Sequence, residues 1–267
     1  MTREYSLAFL TCWSVAPDVA VEIAAEAGYD AVGLRLLPAA PGEKAPAIMT
    51  DKALQERVSE ALRHHNVRLA DIEIARLGHA TDIHQFEPFL DLGAKFGAKN
   101  ILVAGDDDDH ESLSRLFGAF CDLAAPYGLT ADLEFMPWTG VKTLSQARSV
   151  VERADRSNGG VLIDALHWDR SGGTTAEVAD MPPALLNYAQ LCDGRKPFDP
   201  STEAMIEIAR GHRLPPGDGD IDLTGLVNAL PETLTLSIEV PNAEISGRDE
   251  VFQWAERNLR QAKHLIA

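Results

Sequence analysis

The sequence predicts an α/β protein built as a (β/α)8 TIM barrel, and three observations carry that prediction. Strand-like apolar runs alternate with amphipathic helical stretches through the 267 residues, and eight such runs are the count of a closed parallel barrel. An open doubly wound sheet would have fewer strands and a phosphate loop after an early one, yet neither G-x-G-x-x-G nor G-x-x-x-x-G-K occurs. Finally, the stretch Gly160–Gly173 passes from an apolar run, Val161 to Ile163, directly into Asp164, His167, Asp169 and Arg170. Such a cluster at the end of a buried strand reads as a site, because parallel-strand folds gather chemistry at the carboxyl ends of their strands.

The elements follow in order. Ser6 to Leu10 is the first strand; Pro17-Asp18 opens a helix through Ala27, which Gly28 stops by its freedom to take positive φ. Asp30 to Leu36 is the second strand, and Asp51 to His65 a helix with Leu54, Val58, Ala61 and Leu62 on one face. Val67 to Ala75 is the third strand, followed by a helix from Phe86 to Phe96 that Gly97 ends. Asn100 to Ala104 and Leu129 to Phe135 are the fourth and fifth strands, with helices over Glu111 to Ala125 and Leu144 to Ala154. Val161 to Asp164 is the sixth strand, Leu185 to Cys192 the seventh after a short or irregular connection, and Leu234 to Val240 the eighth. A closing helix lies within Gly247 to Leu265. No linker or shift in composition divides the chain, so residues 1–267 are expected to form one barrel domain. Residues 193–222 form an extended loop region near the mouth, with a helical segment from Thr202 to Arg210.

Charge narrows the partners. With 24 basic and 41 acidic residues the net charge is -17, which opposes nucleic acid or an anionic membrane as partner, since both need a basic face. No apolar run approaches the roughly 18 residues needed to span a bilayer, and the N-terminus lacks the pattern of a signal peptide. Cys12, Cys121 and Cys192 have no metal-type spacing and are odd in number, so free thiols and a cytoplasmic location are expected.

Alternation along the strands then sorts side chains. In the fifth strand, Leu129, Ala131, Leu133 and Phe135 suit the helix layer, which leaves Thr130, Asp132 and Glu134 pointing into the barrel. The same logic places Thr235, Ser237 and Glu239 inside, and Tyr188, Gln190 and Cys192 on one face of the seventh strand. Four neighbouring strands therefore offer Glu134, Asp164, Gln190 and Glu239 near their carboxyl ends. Carboxylates crowded into one mouth repel one another and lose solvation. One divalent cation resolves the conflict, and an all-oxygen set suits Mg²⁺ or Mn²⁺, with Co²⁺ a further candidate. The competing reading is a set of separate ion pairs with Arg or Lys. His167 is either an acid/base group, a contact to a substrate oxygen or a hydrogen-bonded loop residue. Arg213, before the rigid Pro215-Pro216-Gly217 turn, either holds a guanidinium over the mouth or makes a surface salt bridge. Arg35, Asp71 and Glu73 face inward and are in place to touch substrate, or Arg35 pairs with an acid; Trp13 and Trp138 either wall the pocket or simply pack. His64, His65, His79 and His84 read as surface residues, and Asp106 to Asp109 as a solvated loop rather than a second cation site.

Taken together, Leu133-Glu134-Phe-Met-Pro-Trp138, Asp164-Ala-Leu-His167 with Arg170-Ser-Gly-Gly173, Gln190-Leu-Cys-Asp193, Arg213-Leu-Pro-Pro-Gly-Asp-Gly-Asp220 and Ser237-Ile-Glu-Val-Pro241 resemble the xylose isomerase-like TIM barrels, the sugar phosphate isomerase/epimerase superfamily, over nearly the whole chain. The resemblance implies metal ligation by Glu134, Asp164, Gln190 and Glu239, and substrate contacts from His167 and Arg213. The epimerase branch usually has His where Gln190 stands; Gln there resembles the branches that dehydrate 3-dehydroshikimate or inosose. Barrels of this kind often dimerise, so the resemblance admits a homodimer, while the residues themselves set no oligomeric state.

The expected activity is that of a divalent-metal-dependent sugar isomerase or epimerase. Glu134 or Glu239 would remove a proton next to a carbonyl of a small polyol, keto sugar or cyclic hydroxy-ketone, through a metal-stabilised enediolate, with His167 or the opposite carboxylate returning a proton. Loss of a β-hydroxyl from the same enediolate would make the protein a hydro-lyase instead. Metal-dependent nucleases share this barrel but need a basic face, which the charge opposes; a non-catalytic sugar-binding barrel is the alternative from another class.

Overall fold

The computed structural model describes residues 3–40 and 42–266, so the extreme ends of the chain and Pro41 lie outside it. Eight parallel strands, β1 (Tyr5–Leu7), β2 (Ala31–Arg35), β3 (Arg68–Leu77), β4 (Asn100–Gly105), β5 (Thr130–Glu134), β6 (Gly159–Asp164), β7 (Tyr188–Leu191) and β8 (Thr235–Ile238), follow one another around a closed barrel. β1 closes it against β8, with Ser6 opposite Ser237. The helices are α1 (Pro17–Ala27), α2 (Lys52–His65), α3 (Glu87–Lys95), α4 (His110–Ala124), α5 (Leu144–Ala154), α6 (Ala165–Arg170), α7 (Thr175–Ala179), α8 (Thr202–Gly211), α9 (Leu223–Ala229) and α10 (Arg248–Ile266). None is long and apolar enough to cross a membrane.

Local chemistry sets these boundaries. Gly28 ends α1 at φ 87°, and the side chain of Asp51 opens α2 by accepting from the Leu54 N–H. Ala131, Leu133 and Phe135 belong to the large apolar layer between sheet and helices, as alternation along β5 requires. A second, small apolar cluster that includes Leu102, Ala104, Leu162 and Tyr188 is separate from that layer.

Several boundaries differ from the sequence reading. The first strand stops at Leu7, not Leu10, because the chain winds into a 3-10 turn over Phe9–Cys12, pinned where Thr11 Oγ1 donates to the Ile238 carbonyl at 2.7 Å. The turn brings Phe9 and Trp13 to the mouth. β3 runs two residues past Ala75, which carries Arg76 to the mouth as well. β7 begins at Tyr188 rather than Leu185, since Pro183–Leu185 winds into a 3-10 turn and the Leu185 and Leu186 N–H groups bond back to the Pro182 and Pro183 carbonyls. β8 ends at Ile238, one residue before Glu239, whose N–H still bonds the Leu191 carbonyl. β6 starts earlier than expected, at Gly159. A Cβ on Gly160 would stand 2.3 Å from Asp132 Oδ1 and 2.5 Å from Asn187 Nδ2, so only glycine lets those groups meet inside the barrel.

Candidate active site

The site forms where β6 becomes α6 without an intervening loop. Asp164, the last residue of the strand, caps the helix: its Oδ1 accepts from the His167 N–H at 3.0 Å. The Asp-x-x-His spacing is thus a capping geometry that also turns the imidazole into the barrel. His167 Nε2 lies 3.7 Å from Glu134 Oε1 and 3.8 Å from Asp164 Oδ1, and Trp138 packs edge-on against the ring at 4.9 Å. Glu134, Asp164 and His167 present ligand atoms all within 4.8 Å of one another.

Arg213 ties this cluster to β8. Its Nη1 donates to Asp164 Oδ2 at 2.6 Å, its Nη2 pairs with Glu239 Oε2 at 2.9 Å, and its Nε donates to the Ala209 carbonyl. Buried to 4% exposure, the guanidinium sits inside the mouth, which removes the surface salt bridge as its role. Gln190 Nε2 donates to Glu239 Oε1 at 3.0 Å, which leaves Gln190 Oε1 buried with no hydrogen-bond partner. The four ligands expected from the sequence therefore fall into two connected pairs, Glu134 with Asp164 and Gln190 with Glu239, joined through Arg213.

Charge and burial explain how this cluster behaves. Burial, then Asp164 and Glu239 nearby, pushes Glu134 well above the ordinary carboxylate range. Burial likewise pushes Glu239 up to about 8 against the pull of Arg213. Asp164 is held below its ordinary value: Arg213, His167 and the capped N–H outweigh the burial that opposes them. Burial lowers His167 to about 4, so the imidazole is neutral at pH 7. Three ionised acids against one guanidinium leave two negative charges, the charge of one divalent cation. With no cation, protons on Glu134 and Glu239 take that role. The residues therefore fit a divalent ion: two carboxylates and an imidazole nitrogen converge, and the orphaned Gln190 carbonyl oxygen is a free donor.

The remaining expected residues line a cavity of about 480 Å³ above this cluster. Arg35 pairs with Glu73 at 2.7 Å and lies over the Phe9 ring at 4.6 Å. Trp13, 46% exposed, and Trp138 form part of the wall. Asp71 faces inward but does not line the cavity, being 2% exposed deeper in the barrel. Of the histidines expected at the surface, His64, His79 and His84 are exposed and His65 is half-buried. Asp106 pairs with Arg76, Asp107 lies 3.9 Å from His79, Asp108 pairs loosely with Lys142, and Asp109 caps α4. Sequence reasoning missed Phe9, Lys44, Arg76 and Met136 as wall residues. Two of these follow from the misplaced ends of β1 and β3; Lys44 sits in an irregular connection with no periodic signal.

Comparison with known proteins places this geometry in context. The chain is 25% identical over 257 residues to an inosose isomerase of Bacillus licheniformis, covering 88% of this chain and 86% of that protein. It is 32% identical over 105 residues to a 3-dehydroshikimate dehydratase of Pseudomonas aeruginosa, covering 39% of this chain and 16% of that protein. A crystal structure of the IOLI protein with a bound zinc atom superimposes with a TM-score of 0.80 at 19% identity, over 98% of both chains, a likeness of fold. A family model described as xylose isomerase-like TIM barrel matches residues 21–264, and the chain belongs to that family.

Proposed function

We propose that the protein is a divalent-metal-dependent isomerase or epimerase acting on a small polyhydroxylated ketone. The observation that carries this reading is the meeting of Glu134, Asp164, His167, Gln190, Arg213 and Glu239 at one barrel mouth, each 4% exposed or less. Glu134, Asp164, Gln190 and Glu239 hold the metal, with His167 as an additional nitrogen donor. Mn²⁺, Mg²⁺ and Co²⁺ suit the oxygen donors; the imidazole adds affinity for zinc, the metal bound in the IOLI structure. When bound, the ion supplies Lewis-acid polarisation of the substrate carbonyl.

The chain's own residues do the rest. Glu239 takes the proton beside the carbonyl, from its place at the end of β8 where Arg213 and Gln190 fix its two oxygens. Glu134, on the opposing part of the rim, hands a proton back. Arg213 keeps Asp164 ionised and orients Glu239. Trp138 fixes the imidazole and helps to exclude water. Three buried free thiols fit a reducing, cytoplasmic setting.

A second reading is a hydro-lyase of the 3-dehydroshikimate or inosose type. The presence of Gln190 favours it, as does the 32% identity to a 3-dehydroshikimate dehydratase. Proton NMR in D₂O separates the two, with protein stripped of metal and reloaded with Mg²⁺ or Mn²⁺, and with ketoses, inososes and 3-dehydroshikimate as substrates. Deuterium entering beside the carbonyl with a new sugar appearing is the isomerase result. New olefinic or aromatic signals with loss of water move the protein to the dehydratases. No exchange from any ketone by metal-loaded protein sinks both.

A further inference from the structure

Asp193 takes no part in the chemistry proposed above, yet it is buried and both its oxygens are engaged. It stands two residues past the end of β7, and three backbone N–H groups converge on its carboxylate. Oδ1 accepts from Gly194 at 2.8 Å and from Ile221 at 3.1 Å, and Oδ2 accepts from Gly217 at 3.0 Å. Two of these donors lie 24 and 28 residues further along the chain. The Asp193 backbone is bound to the same loop: its N–H donates to the Leu214 carbonyl at 2.7 Å, and the Leu214 N–H donates to the Asp193 carbonyl at 2.9 Å. The fit is close, since a Cβ on Gly219 would stand 2.3 Å from Asp193 Oδ1 and 2.7 Å from the Gly194 nitrogen.

The residue held by these bonds is Arg213. On one side of it Leu214 is bridged to Asp193, and on the other His212 is bridged to Asn242, beyond the end of β8. The Arg213 backbone therefore runs between the continuations of β7 and β8. From there its guanidinium reaches Asp164 Oδ2 at 2.6 Å and Glu239 Oε2 at 2.9 Å. The turn that follows Arg213 belongs to no helix or strand, and Pro215 and Pro216 have no N–H to tie it down. Hydrogen bonds to a carboxylate are about twice as strong as neutral ones, so Asp193 supplies the anchorage that the turn lacks. The outer side of the turn has a separate tie, from Asp218 to Arg257 and Gln261 of α10.

We infer that Asp193 is a positioning residue of this site: by drawing the Gly217 and Ile221 N–H groups onto its carboxylate and Leu214 onto its backbone, it fixes where Arg213 enters the mouth and so keeps Asp164 and Glu239 in their working arrangement. This rests on the reading of the mouth as a catalytic site. Asp193 acts through Arg213, so its effect on turnover must disappear when Arg213 is gone. An acid that only stabilises the fold would give the same effect with or without Arg213.

The test compares the wild type, Asp193→Asn, Arg213→Leu, the double variant and Asp218→Asn, all saturated with Mn²⁺. Proton exchange from a ketone gives kcat and KM, and urea titration gives stability. Asp193→Asn should lower kcat by about 10-fold or more, the scale of one hydrogen bond to a charged group, with KM changed less than about 3-fold. The same change made in Arg213→Leu should cost less than about 2-fold further, and Asp218→Asn, which frees only the outer tie, should keep kcat within about 2-fold of the wild type. Gly219→Ala forces the loop off the same carboxylate without altering Asp193, and should reproduce the kcat loss if Asp193→Asn does not fold. Wild-type kcat in Asp193→Asn overturns the inference, as does an equal loss from the wild type and from Arg213→Leu, or an equal loss in Asp218→Asn. Absence of proton exchange from any ketone by the wild type removes the catalytic reading instead. Urea then decides the placement of Arg213: a midpoint shift from Asp193→Asn that shrinks in the Arg213→Leu background upholds it, and equal shifts in both backgrounds refute it.

Discussion

Asp132 and Glu134 lie two residues apart on the same face of β5, yet the barrel treats their charges differently. Asp132, nearer the base, accepts from Thr130 Oγ1 at 2.6 Å and Asn187 Nδ2 at 2.7 Å, and burial pushes it up only to about 6. Glu134, at the mouth, has within 4 Å only the His167 imidazole, neutral at pH 7, among the basic groups of the described residues, and lies beside two further acids. The base satisfies one acid with neutral donors. The mouth crowds three acids together and leaves their charge for a cation to balance. Neutral hydrogen bonds make a stable core; unmet charge makes a binding site, at some cost to the empty protein.

The largest effect that would break this contrast is on turnover. Glu239→Gln removes the proposed base and one metal ligand while preserving shape. Activity should fall by about 10²–10⁴, the range typical of a lost general base or acid. The melting temperature should hold or rise, since a buried acid is replaced by a neutral amide. Near-normal exchange of the substrate proton in this variant refutes the assignment of Glu239. By contrast, Asp132→Asn should leave turnover within a few-fold.

The next effect is on stability. Replacing Arg213 with Leu leaves Asp164 and Glu239 facing each other without their shared counter-ion. Loss of one partner from a buried ion pair costs about 3–5 kcal/mol. The loss should appear in denaturant titrations and depend on pH. Asp164 is depressed in the folded protein, so its pairing adds stability above its unfolded value of 3.8 and loses it as pH falls. The variant should therefore lose more at pH 8 than at pH 4, where the acids protonate and need no counter-ion. Equal losses at both pH values would show that Arg213 acts by packing alone.

The contrast between base and mouth was partly visible in the sequence. Periodicity located all eight strands, because each needs an apolar face against the helices, and alternation placed Asp132, Glu134 and Glu239 inside. What could not be read was direction in space from irregular segments. Arg213 follows a helix and precedes a Pro-Pro turn, and nothing in that order indicates that its guanidinium drops between Asp164 and Glu239. Lys44 sits in a connection without period, so its place on the cavity wall appears only once β2 and β3 are set side by side. The ends of β1 and β3 slipped for a similar reason. Phe9 and Ile74 are as apolar as strand residues on either side, and only the hydrogen bonds of Thr11 and the β3–β4 ladder decide where pairing stops and resumes.

The smallest effect isolates the base itself. Asp132 is raised from 3.8 to about 6 in the folded protein, so the sign is opposite to that of Asp164. Below pH 3.8 both folded and unfolded forms carry the proton, and the group does not weaken the fold. Between 3.8 and 6 the unfolded chain gives up its proton while the folded protein retains it, and stability falls as pH rises. Above 6 the penalty is constant, at about 3 kcal/mol for a difference of roughly two pKa units. Asp132→Asn cannot titrate. Subtracting its stability curve from that of the wild type should leave a step confined to pH 4–6, superimposed on whatever constant cost the amide incurs with Thr130 and Asn187. A flat difference would mean that the two hydrogen bonds already hold Asp132 ionised at its ordinary value. The base of the barrel would then carry a fixed negative charge beneath the mouth, and the cation demanded by Glu134, Asp164 and Glu239 would have that charge to answer as well.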